Sequence, residues 1–341
     1  MNTDHDNQKT KGLIRKLALL IISTVLSLAL AEGILRVIGF SFKLYPEKVQ
    51  WGWPEEREIK ALFRRDKDLF WVPKNYDQKV AHFKKENPTT VFMGCSCTQM
   101  GQYDRLLHDI IVRKHPGKAF SYANFGVGGW STYQGLQQLK RDVVGLKPKL
   151  ITIFYGWNDH WIGFGIEDKH VRDYNTSVLY SLQRFRLVQL VTQAVVKIEQ
   201  KELLPERVSA SDFQKNLTEM VKIARRNHII PVLLTAPQGH QKGKEPVFLA
   251  TRWLRNLKDL IPIHQKYVSL VRKVAKKEKV VLCDLARKFE QLPKEDVVNK
   301  YFHVDGTHLR KAGDAVIADT LYHCLNEHGV LEQIWQQGTD I

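Results

Sequence analysis

The sequence predicts an α/β protein with a five-stranded parallel sheet, preceded by a hydrophobic helix near the N-terminus. Two observations predict this architecture. After residue 87, short β-branched or apolar runs alternate with longer segments of helical periodicity, and before residue 41 there is one long apolar run. Strands that alternate with helices form parallel sheets covered by helices on both faces. A chain of 341 residues is long enough for one large domain with attachments.

The hydrophobic run predicts a helix that crosses a membrane. The chain carries no charge from Leu17 to Ala31. Four basic residues stand directly before this run: Lys9, Lys11, Arg15 and Lys16. The uncharged core is shorter than the ~20 residues of a spanning helix, but residues 34–40 can continue it and basic side chains can reach the head groups. We therefore predict a transmembrane helix over residues 17–40.

The residues that follow this run bear on whether the segment is retained or removed. Ala29-Leu30-Ala31 fits a signal-peptidase site, and cleavage there would release a soluble protein. Glu32 and Arg36 are spaced four apart with the acid first, which favours a continuous helix and hence an uncleaved anchor. The basic flank predicts that residues 1–16 form a cytoplasmic tail and that the chain beyond the anchor is extracytoplasmic, in a bacterium periplasmic.

The rest of the chain divides into a stem and a domain. Residues 41–86 are rich in Trp, Lys, Arg and Glu without clear periodicity, so we predict a juxtamembrane stem. Residues 87–335 form the predicted domain. Its strands are expected at 90–93, 119–123, 150–155, 229–235 and 280–283. Its helices are expected at 131–145, 211–227, 262–278 and 311–328.

A helical insertion is expected over residues 165–206, between the third and fourth strands. It contains the amphipathic run SVLYSLQRFRLVQLVTQAVV. Apolar stripes usually mark cores, so we interpret this run as a helix packed on the domain. A lid or a membrane-docking element is the alternative.

Chemistry in parallel sheets lies beyond the carboxyl ends of the strands, and the first strand is followed there by a candidate nucleophile. The segment Gly94-Cys-Ser-Cys-Thr98 predicts a tight strand-to-helix turn that exposes Ser96. A serine at the start of a helix lies near outward-pointing backbone N–H groups, which favour developing negative charge. A purely structural turn serine explains this motif alone equally well.

The second and third strands are followed by candidate hydrogen-bond donors. Asn124-Phe-Gly-Val-Gly-Gly-Trp-Ser supplies glycines that let a backbone N–H approach a substrate oxygen. Gly156-Trp-Asn-Asp159 supplies Asn158, whose side-chain N–H could serve the same oxygen. Four nearby residues could shape an aromatic pocket, although core packing explains the tryptophans at least as well: Trp130, Trp157, His160 and Trp161.

A candidate base stands just before the last helix. In Asp305-Gly-Thr-His308 the carboxylate can fix the imidazole tautomer and stabilise the imidazolium formed when His308 accepts a proton from serine. A metal site formed by His303, Asp305 and His308 is the alternative, but it lacks a clear fourth ligand and a strong zinc spacing.

These four motifs, taken in order, resemble the SGNH (GDSL-like) hydrolase family from about residue 88 to 330. The nucleophile block is Gly94-Cys95-Ser96, the glycine block Asn124-Phe125-Gly126, the third Gly156 to Asp159, and the last Asp305 to His308. The resemblance implies a flavodoxin-like three-layer α/β/α fold and no metal or other cofactor. It also implies a catalytic triad of Ser96, Asp305 and His308, and an oxyanion hole from the Ser96 amide, the Gly126 amide and the Asn158 side chain.

One position departs from the family pattern. Cys95 replaces the usual aspartate, so that thiols flank Ser96 at positions 95 and 97. A cysteine nucleophile is an alternative, because a thiolate near a helix start would be reactive. Side chains one position away from Ser96 should point elsewhere, so we favour serine. The other two cysteines, Cys283 and Cys324, stay unassigned.

The expected function is hydrolysis of carboxylic (acyl) esters by a membrane-anchored serine hydrolase. Two alternatives stay open: O-acyl transfer or deacetylation on a cell-surface polysaccharide, and a non-catalytic protein of the same fold that binds glycan or lipid. The formal charge of +16 favours anionic partners. No nucleic-acid-binding motif accompanies the charge, so we expect no nucleic acid as partner.

Overall fold

The computed structural model describes residues 3–42, 61–163, 167–171, 182, 184–198, 205–249, 254 and 256–336. In chain order its main helices and strands are α1 Thr3–Val37, β1 Phe63–Asp66, β2 Phe70–Pro73, α2 Tyr76–Glu86, β3 Thr90–Gly94, α3 Ser96–Gln99, α4 Tyr103–Lys114, β4 Tyr122–Asn124, α5 Thr132–Gln138, β5 Leu150–Phe154, α6 Arg186–Ile198, α7 Ala210–Arg226, β6 Ile230–Leu234, α8 Leu260–Glu278, β7 Val281–Cys283, α9 Leu285–Glu290, α10 Lys294–Asp296, α11 Lys311–Glu327 and α12 Val330–Gln336. The chain forms two compact units.

The first unit combines Met1–Pro46 with Asp173–Leu203. Its helix α1 contains one stretch, Lys11–Val37, that is long and apolar enough to cross a membrane, with a mean hydropathy of 2.2. By length and composition this stretch fits a membrane anchor or a signal sequence. Arg36 forms an ion pair of 2.8 Å with Glu32 one turn earlier, and the helix runs without a break through Ala31.

The second unit combines Glu47–Arg172 with Leu204–Ile341 and contains the predicted parallel sheet. Its five strands lie in the order β4-β3-β5-β6-β7, with helices in the connections between them. Every residue of β3 and β5 is buried, as expected for central strands covered on both faces. The prediction of a three-layer α/β/α fold with a five-stranded parallel sheet is confirmed.

The register of the two central strands decides where the site forms. Thr90 pairs with Leu150, and Gly94 at the end of β3 pairs with Phe154 at the end of β5. The segments that follow these strands therefore leave the sheet at the same edge. The predicted motifs at 94–98 and 156–159 consequently become neighbours, although they are about sixty positions apart in the sequence.

The predicted stem over 41–86 differs from what the structure contains. Residues 63–73 form an antiparallel hairpin, followed by helix α2, and both belong to the second unit. Leu69 and Trp71 are buried, and their carbonyl oxygens accept hydrogen bonds from the side chains of Gln134 and Trp130. The apolar run at 69–72 is therefore core rather than stem. Residues 43–60 lie outside the described part of the chain.

A disulfide joins Cys283 at the end of β7 to Cys324 in α11. The sequence left this pair open because a separation of 41 residues carries no information on distance in space. The cross-link closes a loop that contains Asp305 and His308. Cross-linking a chain reduces the entropy of its unfolded state, which for a loop of this length stabilises the fold by about 2–4 kcal/mol.

We expect the double replacement Cys283→Ser, Cys324→Ser to lower the free energy of unfolding by about 2–4 kcal/mol, because the unfolded chain regains the entropy of the open loop. Urea unfolding with and without a reducing agent measures this. Reductant should destabilise the parent protein and leave the double variant unchanged. Equal stability of the parent protein under both conditions would contradict the assignment.

Candidate active site

Ser96 lies at the turn where β3 becomes the short helix α3. This turn needs glycine at position 94, since a Cβ there would overlap the Thr98 side chain and lie 2.8 Å from the Phe154 carbonyl oxygen. Backbone N–H groups of Thr98 and Gln99 both donate to the Cys95 carbonyl and close the turn. The result is a partly exposed Ser96 in an otherwise buried segment.

The structure brings the three predicted catalytic side chains into one line of hydrogen bonds. His308 Nε2 lies 2.8 Å from Ser96 Oγ, and His308 Nδ1 lies 2.8 Å from Asp305 Oδ2. The other oxygen of Asp305 accepts the backbone N–H groups of Thr307 and His308, at 2.8 and 2.9 Å. The carboxylate therefore holds both the ring of His308 and the turn that carries it.

The hydrogen bonds around Asp305 keep its carboxyl group ionised. Burial alone would raise its pKa, but donation from the His308 ring and from the backbone N–H groups of His308 and Thr307 holds the pKa at about 2. An ionised Asp305 accepts the Nδ1 proton of His308, so that the Nε2 lone pair faces Ser96 Oγ. A neutral imidazole in this tautomer can accept a proton from the serine.

The glycine turn after β4 comprises residues 126–130. It differs from the sequence prediction at Gly126, whose amide is the predicted oxyanion donor. The Gly126 amide donates to Asn124 Oδ1 at 3.0 Å, and a Cβ on Gly126 would overlap the backbone of α3, so this glycine serves close packing. The amides of residues 127, 128 and 130 donate to Gly94 O, Gln99 Oε1 and Val127 O. Within the described residues, the Gly129 amide is the one backbone N–H from residue 126 to residue 130 that donates no hydrogen bond.

The glycine turn lies beside Ser96 and is hydrogen-bonded to Asn158. A Cβ placed on Gly128 would lie 3.9 Å from Ser96 Cβ, which brings this turn to the nucleophile. Asn158 is 4% exposed and uses one N–H of its side chain to donate to the Trp130 carbonyl at 3.1 Å. Its second N–H hydrogen has no acceptor among the described residues and is available to another oxygen.

The arrangement can be compared with known proteins. Residues 89–316, about two thirds of the chain, match the GDSL-like Lipase/Acylhydrolase family. The chain belongs to this family. It is a hydrolase that cleaves ester bonds, as the motifs predicted. A comparison with curated protein sequences found no match.

Several solved structures of lipases and esterases are similar to this chain at low sequence identity. A GDSL-like lipase from Bacteroides thetaiotaomicron is 18% identical, with 74% of this chain and 98% of that chain covered and a TM-score of 0.47. A lipase/acylhydrolase from Enterococcus faecalis is 16% identical, with 70% and 96% covered and a TM-score of 0.46. An acetylxylan esterase from Geobacillus stearothermophilus is 14% identical, with 71% and 94% covered and a TM-score of 0.45.

A buried ion pair fixes the glycine turn of this acylhydrolase. Arg207, 1% exposed, forms two hydrogen bonds with Asp168, at 2.8 and 3.1 Å, and donates to the Gly129 carbonyl at 2.7 Å. Asp168 in turn accepts from Ser131 Oγ at 2.6 Å. Sequence reasoning missed this pair, because Arg207 is one basic residue among many and its partner is 39 positions away.

Asp159, the last residue of the third motif, supports the start of α5, which follows the glycine turn. Asp159 accepts the backbone N–H of Thr132 at 2.8 Å, the Thr132 hydroxyl, and the Gly156 N–H at 3.2 Å. Burial raises the pKa of Asp159 to about 7, against the hydrogen bonds from Thr132 that favour its ionised form. Asp159 thus ties the start of α5 to the residues after β5.

Two buried histidines, His160 and His264, form a hydrogen-bonded pair, and the sequence singles out only the first of them. His264 Nε2 donates to the Ala236 carbonyl at 2.9 Å, which leaves its Nδ1 to accept from His160 Nε2 at 3.1 Å. Burial lowers the pKa of His264 to about 3 and the pKa of His160 as well, so both rings are neutral. Trp157 stacks on His264 with ring centroids 3.7 Å apart. These aromatic residues form packed core rather than an open pocket.

His240 supports the loop of Asp305 directly. Its Nε2 donates to the Asp305 carbonyl at 2.8 Å, and its ring fills the space where a Cβ on Gly306 would lie. Gly306 has a φ of +65°, which also favours glycine. On its other side His240 lines a cavity of about 730 Å³ between α8 and the segment 286–298.

The two thiols that flank Ser96 are both buried. Cys97 Sγ donates to the Thr307 carbonyl at 3.6 Å, whereas the Ser96 hydroxyl lies 2.8 Å from His308 Nε2. A hydrogen bond to Cys95, together with burial, raises the pKa of the Cys97 thiol. The hydrogen bond to the His308 imidazole is therefore made by the Ser96 hydroxyl.

The predicted alternative of a metal site gains no support from side-chain positions. Asp305 uses both oxygens in hydrogen bonds within its own turn, and His303 is not among the partners of its side chain. Among the residues that the structure describes, no three His, Cys, Asp or Glu side chains are grouped so that they could hold a metal ion.

The low pKa of Asp305 predicts how stability changes in acid. A carboxyl group whose pKa falls on folding stabilises the fold above its usual pKa of 3.8, and this contribution disappears as the pH falls towards about 2. Asp305→Asn should therefore unfold at lower urea concentration than the parent protein near pH 7. The difference in the urea concentration of unfolding between the two proteins should narrow between about pH 4 and pH 2. A difference that is constant over this range would contradict the assigned hydrogen bonds.

Proposed function

We propose that Ser96 is the nucleophile of this acylhydrolase, His308 its general base and Asp305 the residue that orients the base. The observation that carries the proposal is the 2.8 Å contact between Ser96 Oγ and His308 Nε2, with Asp305 bound to the opposite ring nitrogen. This is the relation between nucleophile, base and orienting carboxylate that activates a serine hydroxyl.

The reaction proceeds by acyl transfer in two steps. Ser96 Oγ attacks the ester carbonyl carbon while its proton passes to His308 Nε2, and the carbonyl oxygen becomes an oxyanion. The bond to the alcohol then breaks, and His308 returns the proton to the leaving alcohol oxygen. Water attacks the acyl-enzyme by the same route, and the products are the free acid and regenerated Ser96.

Three donors hold the oxyanion in this proposal: the Ser96 amide, the Gly129 amide and the second side-chain N–H of Asn158. Gly129 replaces Gly126, because the Gly126 amide already donates to Asn124. The Gly129 amide is available, and Arg207 fixes the adjoining carbonyl. Asn158 is held by its bond to Trp130, which belongs to the same turn. Donors fixed before the reaction stabilise developing charge without reorganisation.

The N-terminal helix is the anchor in this proposal, with residues 1–16 cytoplasmic and the hydrolase domain extracytoplasmic, periplasmic in a bacterium. Three observations support it: the basic residues before the apolar stretch, the continuous helix through Ala31 with its Glu32–Arg36 ion pair, and the Cys283–Cys324 disulfide. Disulfides persist mainly outside the reducing cytoplasm. Carbonate-washed membranes should retain the intact chain, whereas cleavage after Ala31 would release a shorter soluble protein.

The substrate in this proposal is an acyl ester, and product analysis separates hydrolysis from acyl transfer. The full-length protein in detergent is incubated with aryl esters of increasing acyl length, with and without an added polysaccharide. Free acid formed equally in both conditions supports hydrolysis. Acyl groups found on the polysaccharide would instead establish an O-acyltransferase, and failure to turn over any ester would favour a binding protein.

A further inference from the structure

The first unit carries an amphipathic helix whose apolar side is exposed. Helix α6 spans Arg186–Ile198, and its apolar residues recur at helical spacing at positions 187, 190, 191 and 194. Leu190 is 39% exposed and Val191 61%, whereas Gln189 on the adjoining face is 2% exposed. Phe185, just before the helix, is also exposed. On this stripe Leu187 is half-buried and Leu190, Val191 and Ala194 are exposed, while Gln189 is covered; a helix packed on a soluble core shows the reverse pattern.

Polar contacts tie the start of α6 to the end of α1, within the same unit. Glu32 accepts the backbone N–H of Leu187 at 3.0 Å, which caps the N-terminal turn of α6. Arg36 donates to the Arg184 carbonyl at 3.1 Å. The Gln189 side chain accepts the backbone N–H of Phe42 at 3.0 Å. These contacts explain why Gln189 is covered.

The contacts also fix the depth at which α6 begins. Glu32 is five residues before Val37, where the membrane-spanning stretch ends, which is about 8 Å along a helix that rises 1.5 Å per residue. Helices that lie in a membrane surface bury their apolar faces about 5–10 Å into the boundary between head groups and acyl chains. The N-terminal turn of α6 is therefore held at interfacial depth.

We propose that α6 lies in the interface of the phospholipid bilayer, with Leu190 and Val191 against the acyl chains. This inference rests on the proposed anchor. A lipid surface fits the apolar face of α6 better than a second protein does. The start of α6 is hydrogen-bonded to the end of α1, and α1 as the proposed anchor lies in lipid. Arg184 and Arg186 flank the start of α6, where basic side chains can reach lipid phosphates. The insertion thus supplies a second membrane contact besides the anchor.

The experiment uses the full-length chain in vesicles of phosphatidylcholine and phosphatidylglycerol. In a background with Cys95→Ser and Cys97→Ser, single cysteines are placed by Val191→Cys, Val25→Cys or Val247→Cys and labelled with an environment-sensitive fluorophore. Val191 tests α6, Val25 the middle of the anchor, and Val247 is a matched, 78% exposed control in the second unit. Spin labels at shallow or deep positions on the lipid chains then quench each fluorophore.

We expect quenching at 191 mainly by the shallow lipid label, at 25 mainly by the deep label, and none at 247. Iodide in the water should quench only 247 strongly. Quenching at 25 with iodide quenching at 191 would overturn the interfacial helix and leave the anchor intact. No lipid quenching at either position would refute the anchor as well. A fluorophore at 191 shielded from both quenchers would mean burial against protein, including a second copy, and would also overturn the proposal.

Discussion

Replacing Ser96 with alanine is expected to lower kcat for ester hydrolysis by about ten-thousand-fold to a millionfold while leaving the fold intact. The Ser96 hydroxyl lies 2.8 Å from His308 Nε2, and loss of this nucleophile removes the covalent route. The measurement is kcat on an activated aryl ester, together with thermal unfolding to confirm folding.

A serine elsewhere provides the matched control. Ser269→Ala in α8 removes a hydroxyl that bonds only to the Gln265 carbonyl one turn away, at 2.9 Å. That variant should retain full activity. If Ser96→Ala and Ser269→Ala both keep activity within about tenfold of the parent, the nucleophile is another residue, because removal of a triad serine costs several orders of magnitude.

Replacing Asn158 with alanine is expected to lower kcat by about a hundredfold to a thousandfold with little change in KM. The substitution removes one hydrogen-bond donor to the oxyanion, and such a donor stabilises the transition state by about 3–4 kcal/mol. It also breaks the bond to the Trp130 carbonyl, which costs about 1 kcal/mol of stability. Steady-state kinetics measured well below the unfolding temperature separates the two effects.

Asn216 offers a control with the same chemistry in another place. Its side chain is 9% exposed and donates to Thr132 Oγ1 at 3.2 Å, without contact to the glycine turn. Asn216→Ala should lose a similar amount of stability and retain kcat within a few fold. If both asparagine variants lose kcat equally, the effect of Asn158 is structural and it has no place in the oxyanion hole.

Much of the fold follows from local patterns, because strands and helices alternate with distinct periods. The five strands were placed within a few residues of where they occur, and the motifs at their ends identified the family. One of the two shortest strands shows the limit: the sequence predicts residues 119–123, and β4 is Tyr122–Asn124. Strand ends depend on pairing with β3, which a single sequence does not contain.

The differences in the site arise from contacts between distant residues. Gly126 and Gly129 look alike in sequence, and only the hydrogen bonds of the folded turn show which amide is engaged. The Arg207–Asp168 pair and the disulfide likewise join positions whose separation carries no distance information. Helix α6 stays open between a packed helix and a membrane-docking one on sequence grounds, because periodicity alone cannot tell a protein core from a lipid surface.

The most direct test of the account is the reaction of the full-length protein with a fluorophosphonate, which forms a covalent adduct only with an activated serine. Mass spectrometry of the digested protein locates the adduct, beside the Ser96→Ala and Ser269→Ala variants. We expect one adduct per chain, on Ser96, present in Ser269→Ala and lost in Ser96→Ala. An adduct on another residue, or no adduct on folded protein, would contradict Ser96 as the nucleophile.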